Sequence, residues 1–307
     1  MHSKTTILIV LSLLLCLIEA EPRESLAAET ADIHYSAIAG TWYPGDPHQL
    51  SVTIQGHLST SPKIPLGGVL RALIVPHAGY KYSGAVAARA YRQLKGSRIT
   101  TVILVGPSHY LAFDTVSVNL QTAYVTPLGS VPVDLELARK IIHAQPDFRW
   151  VRQAHAREHS LEIQLPFLQT VLGDFKIVPI VMGRQDYATA ERLARVLTNL
   201  TRSRRDILLL ASSDLSHYHP SRQARMLDDR FASRVLALDA KGLANDLAAG
   251  KTEACGGGPV VAVLLAARKL GATKAIILGR AHSGDVTGDQ GRVVGYLSAA
   301  LIAPTPK

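Results

Sequence analysis

Val69-Leu70-Arg71-Ala72-Leu73-Ile74-Val75-Pro76-His77-Ala78-Gly79-Tyr80 is a short, nearly continuous apolar run that stops at a proline and is followed at once by a histidine. Such a run, without polar alternation, describes a strand buried on both faces of a sheet. Four further runs share the character: Ile99–Val105, Lys176–Met182, Asp206–Ala211 and Lys274–Gly279, each bounded by Gly, Pro, Ser or Asp. Thr115–Leu120 alternates and predicts a more exposed strand, and Val293–Leu301 predicts a final one. Helical patterns lie between them. Asp186 is placed to cap a helix in which Leu193, Leu197 and Leu200 share a face, and Asp134 one with Leu137 and Ile141 inward. Leu161, Leu165, Leu168 and Leu172 form a third stripe in which Pro166 kinks the helix or starts a new one. Gly84 to Leu94 and Pro259 to Leu270 complete the set. Alternation of this kind without a visible linker predicts one three-layer α/β/α domain around a mostly buried central sheet.

The rest of the chain sets the context. At 307 residues with 47% hydrophobic and 19% charged residues, it has the composition of a globular protein. Ile7 to Ile18 is an apolar run ending near Ala20, and its helix would reach only about 18 Å, short of a bilayer core. Residues 1–20 therefore read as a signal peptide, giving an exported, periplasmic or extracellular protein, membrane-anchored if uncleaved. Residues 21–38 read as a linker, and 39–307 as the domain. Losing Lys4 and Glu19 leaves the net charge at +9. The basic residues are scattered, without interleaved aromatics, so the charge describes a solvated surface and not a nucleic-acid site. Cleavage would also remove Cys16 and leave Cys255 alone, so that no intrachain disulfide could form.

Four of the strands carry a histidine just past the C-terminal end: His77, His109, His217 and His282. Ligands bind at that rim in open α/β sheets, because adjacent loops splay apart there. Cys255 precedes three glycines and Pro259, at the start of a helix whose dipole would favour a thiolate. It is then either a small buried group beside a structural glycine loop or, with two imidazoles, a donor set suited to zinc, copper or iron. Arg157-Glu158-His159-Ser160-Leu161-Glu162 opens a helix on which His159 and Glu162 share a face, suited to orienting metal ligands or lining the pocket. Gly40-Thr41-Trp42-Tyr43-Pro44 is an aromatic patch, belonging to the core or walling the pocket.

These segments resemble the Memo family, whose prokaryotic members are often called AmmeMemoRadiSam system protein B. The resemblance rests on Ala39-Gly40-Thr41-Trp42-Tyr43-Pro44, Leu73 to Tyr80 with Tyr82-Ser83-Gly84, and Gly106-Pro107-Ser108-His109. It extends through Glu158 to Leu168, Ser213-Asp214-Leu215-Ser216-His217-Tyr218 and Cys255-Gly256. The family is similar in fold to class III extradiol dioxygenases, which hold Fe(II) through two His and one Glu. The resemblance implies that His77 and His109 match the histidine ligands and that Cys255 stands where those enzymes have Glu. His217, with Asp214 beside it, matches their acid/base histidine, and Trp42 matches a pocket aromatic. Tyr80, His159, Glu162 and His282 complete the expected pocket around one transition-metal ion, iron or copper, with zinc as a further option. A thiolate in place of carboxylate is softer and shifts preference toward copper or zinc. Three functions remain open: a metal-dependent, dioxygenase-like oxidoreductase; a non-catalytic module binding a metal, a small molecule or a peptide; and a cysteine hydrolase with Cys255 as nucleophile and His217 or His109 as base.

Overall fold

A computed structural model describes residues 32–305; the expected signal peptide and the first part of the expected linker lie outside them. In chain order the elements are β1 (Ile33–Tyr35), α1 (Pro47–Ser59), β2 (Val69–Val75), α2 (Tyr80–Tyr91), β3 (Thr101–Pro107), β4 (Val116–Val118), β5 (Ala123–Thr126) and β6 (Gly129–Pro132). Then come α3 (Leu135–His143), α4 (Arg152–Ala156), α5 (His159–Glu162), α6 (Leu165–Val171), β7 (Lys176–Met182), α7 (Tyr187–Thr201), β8 (Ile207–Ser212) and β9 (His217–His219). The chain closes with α8 (Ser221–Leu236), α9 (Ala240–Ala248), α10 (Gly257–Lys269), β10 (Lys274–His282), α11 (Gly284–Thr287) and β11 (Val293–Ala303).

The central sheet runs β10-β11-β2-β8-β3-β7-β4, with β9 paired to β11. β2, β8, β3 and β7 are mutually parallel. β11 is antiparallel to both β2 and β10, so β10 again runs with β2 and ends on the same rim. The side chains divide with the two-residue period of a strand. Ala72, Ile74, Ile103 and Val105 enter a core shared with α3, α7, α8, α9 and α10. Leu73, Val75, Val102 and Leu104 enter a second core beneath α1, α2 and α6. Two buried faces explain the apolar strand sequences and give the three-layer α/β/α architecture.

The caps fall where the sequence places them. Asp134 accepts from Leu137 N, Asp186 from Thr189 N, and Pro166 starts α6 as a separate helix. Two readings change. Val116–Val118 is fully buried although β4 is an edge strand: Ser117 Oγ accepts from Val151 N and meets His155 Nε2 at 3.0 Å, so the segment leading into α4 covers it. Residues 32–38 belong to the domain and not to a linker, because β1 pairs with β5 in a small sheet β1-β5-β6 and Ile38 is buried. Among the described residues no helix is long and apolar enough to cross a membrane.

Candidate metal centre

β8 stands between β2 and β3. The loops after β2 and β3, which carry His77 and His109, therefore rise on either side of it. Cys255 reaches the same point from the loop before α10, which packs beneath β8, β3 and β2. That approach demands glycine next door: a Cβ on Gly256 would lie 2.2 Å from Ser212 O. His77, His109 and Cys255 each offer a donor atom, and the three atoms lie within 4.8 Å of one another. Cys255 Sγ is 3.0 Å from His77 Nε2.

Buried polar groups fix which nitrogen faces that point. His77 Nδ1 lies 2.9 Å from Ser212 Oγ. That hydroxyl donates its only hydrogen to Ser160 O at 2.6 Å and accepts from Gln164 Nε2, so it must accept from His77 as well. Gln164 is oriented in turn, its Nε2 donating to Pro76 O and its Oε1 accepting from the Tyr91 hydroxyl. His77 thus carries its proton on Nδ1 and turns the Nε2 lone pair toward the sulfur. His109 repeats the pattern. Its Nδ1 donates to Glu158 Oε1 at 2.8 Å and its backbone N to Glu158 Oε2 at 2.7 Å, freeing Nε2. Histidine ligands in metal sites are oriented by outer partners of this kind.

Charge follows the same logic. Burial first, and the neighbouring His109 second, push the His77 imidazole down to about 3, so it is neutral and able to donate a lone pair. Burial alone would raise Glu158, but the donors from His109 outweigh it and hold the carboxylate at about 2. Burial pushes the Cys255 thiol well up, with the nearby Asp214 charge adding to it. Burial thus works against the thiolate that the start of α10 was expected to favour.

His109, Glu158 and His159 form a second compact group. It is a poorer site, because the His109 and His159 rings stack at 4.4 Å with planes only 28° apart. In-plane lone pairs on stacked rings run side by side and do not converge. The His77 and His109 rings stand at 87°. His159 instead packs against Trp42, ring centroids 4.2 Å apart, and builds the wall of a cleft of about 460 Å³. Trp42, His77, His109, His159, Asp214 and His217 all line it. Asp214 accepts from the backbone N of His77 and Ala78, and burial pushes it up to about 6 despite those donors.

Three expected pocket residues lie elsewhere. Tyr80 is buried in the second core, its hydroxyl donating to Ile163 O. Glu162 is fully buried and accepts from Ser36, Ala37 and Tyr43, tying down the segment that carries Trp42. His282 points toward α8, where Ser221 and Arg225 meet its Nε2. The sequence reading does not single out Ser212, Gln164 or, by itself, Glu158. The available signal was a lone Gln164 inside an otherwise apolar run, since a buried amide needs partners.

An α/β/α domain with two imidazoles and a thiol converging at the sheet's C-terminal rim is the class that fold and site define. Residues 34–300 match the family described as Memo-like protein. A MEMO1 family protein of Methanothermobacter thermautotrophicus is 38% identical over 86% of this chain and 98% of its own. One from Sulfolobus acidocaldarius is 40% identical over 87% and 98%, and one from Aquifex aeolicus 38% identical over 87% and 98%. The crystal structure of an uncharacterised protein of Escherichia coli K12 matches 76% of this chain and 99% of its own with a TM-score of 0.50, at 14% identity, a likeness of fold alone. The chain belongs to the Memo family.

Proposed function

We propose that this protein binds one transition-metal ion through His77 Nε2, His109 Nε2 and Cys255 Sγ and presents it to a small molecule in the cleft. The observation that carries the reading is the convergence of three donors from separate loops, with the other nitrogen of each imidazole tied to a buried partner. The donor set suits copper, zinc or iron. When bound, such an ion supplies Lewis acidity and, for copper or iron, electron transfer. The chain's own part is to hold the lone pairs in place, to exclude water with the Trp42–His159 wall and to move protons. Asp214 and His217 line the cleft beside the donors, and a carboxyl near 6 exchanges its proton close to neutrality.

A metal-dependent oxidoreductase is the reaction class that this arrangement suits. A metal-loaded binding module without turnover is the second reading, favoured by the thiol standing where the dioxygenases carry a carboxylate. The cysteine-hydrolase reading has less behind it. The imidazole nearest the sulfur is His77, pushed too low to draw the thiol's proton, and the Gly256 N–H that could steady an oxyanion is already given to Ser213 Oγ.

Metal analysis of protein purified from its native compartment tests the reading. One equivalent of copper, iron or zinc is the expected result, and protein that retains none after metal-replete growth overturns it. Oxygen consumption by the loaded protein then separates oxidoreductase from module. The apolar run Ile7 to Ile18 supports export, tested by intact mass: a mature chain beginning near Glu21 is expected, and Met1 retained on protein from the cytoplasm refutes it.

A further inference from the structure

The mouth of the cleft carries a feature that metal binding alone does not require. Tyr82 in the first turn of α2 and Tyr218 in β9 line the cleft, Tyr110 on the loop after β3 stands against His109 and His159, and each has a cation seated on its ring. Lys81 Nζ lies 5.6 Å from the Tyr82 centroid, the Arg157 guanidinium 4.9 Å from that of Tyr110, and the Arg292 guanidinium 5.3 Å from that of Tyr218. Arg152 is stacked in the same way on Trp150, but it also pairs with Asp32. Among the described residues, none of the three mouth cations lies within ion-pair distance of a carboxylate. The acids nearby are engaged elsewhere: Glu158 with His109, Glu253 with His219 at 2.9 Å, and Asp214 with the His77 backbone.

Tyr218 adds an independent sign. Its φ is 63°, a left-handed backbone that a bulky aromatic rarely adopts, yet the residue is 63% exposed. The conformation belongs to a bulge in the β9–β11 pairing, where Val293 stands opposite His219 and Val294 opposite His217 with Tyr218 as the extra residue. What the conformation achieves is to set an aromatic ring with its arginine at the edge of the cleft, beside His217. Local strain of this kind gathers at ligand-binding sites. A guanidinium lying on a ring keeps its N–H fork open for a planar anion.

We propose that Arg157, Arg292 and Lys81 form a collar that receives the negative group of a small organic anion, whose flat body lies between Trp42 and Tyr218 above His77 and His109. The cleft volume of about 460 Å³ suits a small molecule, and Trp42, Tyr82, Tyr218 and Tyr296 line it with aromatic surface. This assignment names the ligand class for the site proposed above and rests on that reading only for what happens to the ligand; the collar itself needs no metal.

The test compares benzoate with its neutral counterpart benzamide by titration calorimetry on full-length purified protein of measured metal content. Benzoate is expected to bind roughly 10- to 100-fold tighter at low salt, the worth of hydrogen bonds to a charged group, and the advantage should shrink as salt is added. The double variant Arg157→Glu with Arg292→Glu, both at exposed positions, should abolish the preference without changing metal content or melting temperature. Tyr218→Asn, which tolerates the left-handed backbone, should weaken benzoate binding and leave the melting temperature unchanged or higher. Equal affinity for the two probes overturns the collar, as does a preference that survives the double variant, which would place the carboxylate on the metal instead. A preference in protein that takes up no metal upholds the collar while the metal reading falls. Metal uptake without a preference does the reverse.

Discussion

His77 and His282 enter the sequence on equal terms: each closes a buried strand, each precedes a small-residue loop, and the two strands run in the same direction to the same rim. Their environments diverge. His77 lies two residues past the end of β2, next to the central strand β8, and its Nε2 meets a sulfur and faces a cleft. His282 ends the edge strand β10 and is 4% exposed, its Nε2 held by Ser221 and Arg225 and its backbone N donating to Asp285. A bulge between Ile277 and Gly279 makes the difference. Leu278 sits in the core under α2, and Gly279, where the strand should turn to the other face, still faces Arg89 of α2. Arg280 and His282 are thereby turned to α8, where Arg280 pairs with Asp229. A single extra residue flips every side chain after it. A histidine at the rim is thus a necessary condition for joining the site, and the strand's place and register decide whether it does.

Substitutions at the two histidines should separate by the property they damage. His77→Ala or Cys255→Ser should lower metal affinity by more than the roughly 100-fold lost when an outer partner is removed, with the fold retained. Equilibrium dialysis against a chelator checks this, and an unchanged affinity for Cys255→Ser would make the sulfur structural. Glu158→Gln comes next, with an expected loss of about 10- to 100-fold as His109 loses its orienting carboxylate. Full retention of affinity would show that the backbone alone places that ring.

The pH dependence should be smaller and signed. The Cys255 thiol is pushed up and so is protonated at neutral pH; binding a metal must expel that proton. Affinity should rise about tenfold per pH unit through neutrality, with about one proton released, measured by calorimetry in buffers of different ionisation heat. His77, His155 and His159 are each pushed down to about 3 from 6.5, chiefly by burial. The unfolded chain therefore takes up protons first, and the metal-free protein should lose stability as pH falls from about 6.5 toward 3. Urea midpoints that stay flat across that window would refute the neutral assignment. The smallest effect belongs to His282→Ala: no change in metal affinity, and a loss of about 1 kcal/mol as its bonds to Ser221 and Arg225 disappear. A change in metal affinity there would join the two histidines into one system.

Much of the fold is legible because it follows from local chemistry. Apolar runs, caps at Asp134 and Asp186, and Pro166 at a helix start are consequences of side chains a few residues apart, and all recur in the structure. The sequence reading has no counterpart of α8, α9 or the small sheet β1-β5-β6. α8 buries only a narrow stripe at Ala224, Asp228, Phe231, Ala232 and Val235, and the small-sheet strands are three or four residues long. In the candidate site, the sequence by itself determined that histidines end the strands and that one cysteine precedes a helix. It could not decide that Ser212 and Gln164 would fix the proton of His77, that burial would keep the thiol protonated, or that a bulge would turn His282 away. Those outcomes depend on desolvation and on strand register, which arise only when segments distant in sequence are packed together.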